Sequence, residues 1–134
     1  MFLNTKKIIK KEENCLKTFN YESNCVKYNN CFFDVGEYEK GKLSLAIYGN
    51  VGNNKDTSHI SNVTVNVEEK LEENQVVIDT YANSNLISFL LDLGIVTGIP
   101  KKVTTKFLRL PVVDLDLDKL YEYSYDQEVL KYAS

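Results

Sequence analysis

Two runs of alternating residues constrain this chain more than anything else in it. In Val63-Thr-Val-Asn-Val67 apolar and short polar side chains alternate, and Leu43, Leu45 and Ile47 repeat the same period within Leu43-Ser-Leu-Ala-Ile-Tyr48. A period of two buries one face of a strand and leaves the other polar, so Val63, Val65 and Val67 point inward while Thr64 and Asn66 point away. Between the runs lies Gly49-Asn-Val-Gly-Asn-Asn-Lys-Asp56, whose Gly and Asn residues tolerate positive φ. The expectation is an antiparallel hairpin with a long, mobile tip, whose apolar face the rest of the chain must cover.

The flanking segments supply the cover. Cys31-Phe-Phe-Asp-Val35 reads as a first strand turned into the hairpin by Gly36-Glu-Tyr-Glu-Lys-Gly41, and Gln75-Val-Val-Ile-Asp79 as a short apolar strand. Val103 to Val113 is rich in β-formers, and its Pro111 suits an edge strand or a strand break. Leu86, Phe89, Leu90 and Leu93 follow the i, i+3, i+4, i+7 spacing of a helix that ends at Gly94, with Asn83-Ser-Asn85 offering capping oxygens. Burying those four side chains is worth roughly 6–12 kcal/mol before ordering entropy. Ser124-Tyr-Asp-Gln127 has capping-box spacing before a further terminal helix. The predicted fold is α+β, an antiparallel sheet of four to five strands covered on one face by a helix, with short terminal helices. It is read as one domain over 1–134, with 1–30 a flexible or helical arm, 31–115 the core and 116–134 a helical tail. Within the arm, 20–30 reads as loop or irregular strand.

With 134 residues the chain holds one core, burying roughly two thirds of the surface its unfolded form exposes. No apolar run reaches the ~18 residues of a membrane span, and Met1-Phe-Leu-Asn-Thr-Lys-Lys7 has no signal-peptide core, so a cytoplasmic location is expected. Net charge is −3, which supplies no general electrostatic footprint for nucleic acid. The charge is polarised: residues 1–30 hold six Lys against three Glu, and residues 112–134 hold six Asp or Glu against two Lys.

Chemistry-bearing residues are sparse. Cys15, Cys25 and Cys31 contain no Cys-x-x-Cys pair and the one histidine, His59, is remote from them, so a closed zinc site is not expected and the thiols are read as reduced. Asp56-Thr-Ser-His59 has the residue types of a hydrolytic triad, but four neighbours in a loop cannot adopt its geometry. Asp114-Leu-Asp-Leu-Asp118 starts like a calcium loop and then fails, with Lys119 in place of Gly and Tyr125 in place of Glu. In extended form its carboxylates would share one face at about 6–7 Å intervals, a stripe suited to magnesium, to a phosphate-mimicking role or simply to solvent. No Gly-rich phosphate loop and no aromatic strand of the RNA-binding kind is found. Lys101, Lys102, Lys106 and Arg109 form a modest basic run.

Leu43 to Tyr48, Asn62 to Val67, Val77 to Thr80, Leu86 to Gly94 and Thr105 to Val113 together resemble a family of unknown function carried by phages, plasmids and conjugative elements of Gram-positive and related bacteria. The similarity spans about residues 40–115. It implies a small accessory protein of a mobile element, a pool that includes anti-CRISPR inhibitors of host defence, and it carries no catalytic motif. The expectation is therefore a non-enzymatic protein without cofactor that binds a CRISPR effector, with Asp114, Asp116, Asp118 and Glu122 supplying charge and Tyr121, Tyr123 and Tyr125 as anchors. The alternative is a small RNA- or DNA-binding regulator using Lys6, Lys7, Lys101, Lys102, Lys106 and Arg109. A metal-dependent nuclease built on the Asp114-to-Asp118 stripe is a third reading.

Overall fold

Alternation builds the first sheet. β1 (Phe19–Ser23), β2 (Val26–Glu37), β3 (Leu43–Val51) and β4 (Ser58–Asn62) lie in sequence order, each antiparallel to its neighbour. The computed structural model describes residues 17–39, 41–52, 56–68, 70–98, 102–103 and 109–124. One face of the sheet carries Phe19, Tyr21, Cys31, Phe33, Val35, Leu43, Leu45 and Ile47, all buried in one core. Helix α1 (Leu86–Leu93) packs on that face, with Leu86 and Leu90 fully buried and Phe89 and Leu93 partly so. The Phe89 ring lies 5.2 Å from Phe19 and 4.9 Å from Tyr21. Gly94, at φ 80°, lets the last carbonyls of α1 be satisfied, Leu91 by the Gly94 amide and Leu90 by that of Ile95. The α+β class, the four-stranded antiparallel sheet and the covering helix are as the sequence predicts.

The second sheet is where the structure departs from the expected single meander. β5 (Gln75–Val77), β6 (Lys102–Val103) and β7 (Pro111–Asp114) form an antiparallel sheet in the order β5-β7-β6. Ser58–Asn62, not Val63–Val67, pairs with β3, and Gly49 and Asn50, assigned to the mobile tip, lie inside β3. The Val63 amide still donates to the Leu45 carbonyl at 2.9 Å, after which Thr64 bridges Ile78 and Val65 donates to Val77 at 2.9 Å. The alternating run is therefore the joint between the sheets. Val63 enters the main core, whereas Val65 and Val67 pack with Leu71 on a second cluster of Val77, Leu110 and Val112. Thr64, expected on a solvent face, is buried where the joint passes Leu45 and Tyr38, while Asn66 on the same face is exposed. The Thr64 Oγ1 accepts from the Leu45 amide at 3.0 Å and lies 2.9 Å from the Tyr38 hydroxyl.

The Asn-rich stretch expected as loop or arm is also in the sheet. β1 and β2 are joined through Asn24 and Cys25 at φ 52° and 67°. Two consecutive positive φ values are the mark of the tight turn whose twist suits a hairpin, and Asn tolerates them best after Gly. Residues 1–16 lie outside the described residues. At the other end Leu117–Glu122 forms helix α2, which buries Leu120, and Ser124 then bridges Phe33 in parallel. Of the expected capping box only Ser124 is described, and it is buried in that bridge; the second terminal helix falls outside the described residues. Among the described residues no helix is long and apolar enough to cross a membrane.

Candidate partner-binding site

The carboxylates singled out in the sequence lie where β7 runs into α2. Val112, Val113 and Leu115 are buried, and Asp114, at the end of β7, is exposed. The Asp114 carboxylate accepts from Gln75 Nε2 at 3.0 Å, a cross-strand contact that follows from their facing positions on β7 and β5. Backbone bonds then lock the junction: the Leu115 amide donates to Asn74 at 2.9 Å and the Asp116 amide to Ile95 at 2.8 Å. Asp116 is the N-cap of α2, its Oδ1 accepting from the Lys119 amide at 3.1 Å, and Asp118 follows in the first turn. Both positions favour negative charge, since the amides at a helix start carry uncompensated positive ends.

The extended stripe is thus broken into a strand end, a cap and a helical turn. The carboxylates of Asp114, Asp116 and Asp118 are all exposed, but they do not line one face at strand spacing. Among the described residues no three or more His, Cys, Asp or Glu side chains converge on a point that a metal ion would occupy.

Of the remaining predicted partner residues, Glu122, Tyr121 and Tyr123 are committed internally. Glu122 Oε1 lies 2.7 Å from Lys17 Nζ and 3.8 Å from Lys119 Nζ. The hydrogen bond from Lys17 holds the Glu122 carboxyl below its usual range, helped by the charges of Lys119 and Lys17, and the same bond holds the Lys17 ammonium above its own. Tyr121 and Tyr123 are half-buried against the main core, and the Tyr123 ring meets Phe19 edge-on at 5.8 Å. They fasten α2 to the sheet. Tyr125 lies outside the described residues.

Of the basic set, Lys102 and Arg109 fall among the described residues. Lys102 stands on the two-residue strand β6 opposite Val112, and Arg109 is exposed just before the buried Leu110. Lys6, Lys7, Lys101 and Lys106 lie outside the described residues. Two features escaped the sequence reading. One is a polar cleft of about 540 Å³ between the β1–β2 turn and residues 80–85, with Tyr81 standing 69% exposed at its rim. Asn83 spans its floor, donating to the Tyr21 hydroxyl and, at 3.2 Å, to Ser23 Oγ. The other is a row of aromatic rings across β2, β3 and β4, formed by Phe32, Tyr48 and His59. A search for an aromatic strand misses it because each strand contributes one ring; the available signal was the outward parity of Phe32 and Tyr48.

Comparison with protein-family models, curated proteins and solved structures finds no match to this chain.

Proposed function

We propose that this is a non-enzymatic anti-defence protein of a phage or other mobile element, an anti-CRISPR inhibitor that binds a CRISPR effector and blocks its access to nucleic acid or to the nuclease centre. The observation that carries the reading is the fixed, exposed placement of Asp114, Asp116 and Asp118 across the β7–α2 junction. Effector grooves for nucleic acid are basic, and carboxylates held by backbone and cap geometry complement such grooves without ordering cost at the moment of binding. The resemblance over residues 40–115 supplies the class of partner.

The test is co-purification of the full chain with a panel of CRISPR effectors. A stoichiometric complex is expected, weakening as salt rises and lost when Asp114, Asp116 and Asp118 are all changed to Asn, a substitution that keeps the helix cap. If the folded protein retains no effector, the proposal is wrong. Low-salt gel shifts address the alternative, a nucleic-acid-binding regulator: binding lost on replacing Lys102 and Arg109 would favour it over the inhibitor.

A further inference from the structure

The cleft of about 540 Å³ between the β1–β2 turn and the loop that leads into α1 falls within the roughly 300–1,000 Å³ of small-molecule sites. Its two walls are tied to each other. Asn83 Nδ2 reaches across from the loop to the Tyr21 hydroxyl and, at 3.2 Å, to Ser23 Oγ, and Tyr21 is itself buried in the main core. The loop is also held from within: Asp79 Oδ1 accepts from the Ala82 amide at 3.0 Å, and Asn83 Oδ1 from the Asn85 amide at 2.9 Å. A cleft fixed in this way exists before a ligand arrives, and filling it costs little ordering.

The lining narrows what the cleft can hold. Asn24, Thr80, Ser84 and Asn85 present amides and hydroxyls, groups that both donate and accept. The Asn85 side chain makes no capping bond, whereas Asn83 is already spent on the walls. Glu22 is the one Asp or Glu among the lining residues, and none of them is Lys or Arg; Lys27 faces Glu22 in register and Asp79 opens the loop. An anion would therefore meet no cationic lining residue, and a divalent cation would meet one carboxylate where it needs several. Apolar surface is confined to the Tyr81 ring, which stands 69% exposed, and the Ala82 methyl. An apolar ligand would strip water from the amides and return no hydrogen bonds.

We infer that this cleft binds a neutral saccharide. A pyranose carries C–H groups on one face and hydroxyls around its edge, so the face stacks on an aromatic ring while the edge exchanges hydrogen bonds with the wall. Tyr81 supplies the ring, and Asn24, Ser84 and Asn85 supply the partners. Each sugar hydroxyl both donates and accepts, so it satisfies either end of an Asn amide and leaves few wall groups unpaired. A nucleobase buries both of its faces, but the cleft offers an aromatic ring to one only, and the phosphates of a strand would meet Glu22 in the lining. An organic cation would gain from one ring and one carboxylate and leave the amides and hydroxyls unpaired. The inference uses residues distinct from the Asp114-to-Asp118 junction and does not rest on the effector-binding reading.

The experiment titrates the full chain, followed by NMR chemical-shift mapping, with neutral trisaccharides of glucose, galactose, mannose and N-acetylglucosamine, and separately with adenosine and with tetramethylammonium. At least one trisaccharide should bind with a Kd of about 1 mM, the scale of one stacked ring and a few hydrogen bonds, with shifts centred on Tyr81, Ser84 and Asn85. Tyr81→Ala should weaken that binding about ten-fold, and Tyr81→Phe, which keeps the ring, should leave it nearly unchanged. The shift map uses the unaltered protein, so it decides the matter even if Tyr81→Ala loses the fold. No shift from any trisaccharide at about 20 mM, shifts centred elsewhere, or equal losses in Tyr81→Ala and Tyr81→Phe would each overturn the inference. So would an undiminished affinity of Tyr81→Ala, or adenosine or tetramethylammonium occupying the cleft in place of the sugars.

Discussion

A methyl group on residue 49 would lie 2.6 Å from Cys31 Sγ, 3.0 Å from Ile60 Cδ1 and 3.1 Å from the Asn29 carbonyl oxygen. Gly49 reads in the sequence as a turn residue chosen for positive φ, yet it lies within β3 and its φ is not among the positive ones. Its role is close approach. The β2–β3 register shifts between Asn29 and Phe32, with Asn30 at φ 53°, and this bulge drives Cys31 against β3. Gly49→Ala should therefore destabilise the protein by about 1–3 kcal/mol, as overpacking does. Adding Cys31→Ala to Gly49→Ala should relieve part of the strain but not all, since the Asn29 oxygen belongs to the backbone. Urea melts of the three variants check this through a double-mutant cycle, and an unchanged midpoint for Gly49→Ala would mean that the strands are further apart than described. Burial also pushes the Cys31 thiol up to about 11.

Helix α1 was legible because its information is local: four apolar residues at helical spacing and a Gly at its end require nothing distant to be recognised. At its start Asn85 is the N-cap and its side chain makes no capping bond, but Asn83 supplies an oxygen as expected: its Oδ1 accepts from the Asn85 amide at 2.9 Å while its Nδ2 donates to Tyr21 and Ser23 on the β1–β2 hairpin. The buried stripe also grades: Leu86 and Leu90 are fully enclosed, while Phe89 is partly exposed against Phe19 and Tyr21. Leu90→Ala should cost about 3–5 kcal/mol and Phe89→Ala about 3 kcal/mol, the low end for a buried aromatic. Asp92→Ala, exposed on the far side, should stay within about 0.5 kcal/mol. Denaturant midpoints of the three rank the faces of the helix, and an Asp92 effect matching that of Leu90 would mean the helix is turned. At the β7–α2 junction Asp114, Asp116 and Asp118 were read as one extended stripe. The register could not be read because Asp serves equally as a solvated strand residue and as a helix cap.

Across the whole molecule the tail is held to the start of the sheet by contacts spanning most of the chain. The Lys17 amide donates to the Glu122 carbonyl at 3.0 Å, their side chains pair, and the Phe33 amide donates to Tyr123 at 2.8 Å where β1 no longer accompanies β2. With the Glu122 value lowered and the Lys17 value raised, the pair stabilises the fold at pH above the ordinary Glu range, near ~4.3, and below the ordinary Lys range, near ~10.4. That contribution is lost as pH falls through the lowered Glu122 value or rises through the raised Lys17 value. Because both groups are solvent-exposed, Glu122→Gln should lower the urea midpoint only slightly at neutral pH, and the gap should close in acid and in about 1 M salt. A gap that is constant with pH would assign it to something other than the pair. The sequence by itself determined the class of fold, the covering helix and the inward faces of β2 and β3, because period and capping chemistry act between near neighbours. Only the tertiary structure decided that Val63–Val67 joins two sheets, that Glu122, Tyr121 and Tyr123 serve the tail's docking, and that Phe32, Tyr48 and His59 form one row. Each of these depends on which distant backbone satisfies a strand's open hydrogen bonds, and alternation along one strand is the same whichever partner it finds.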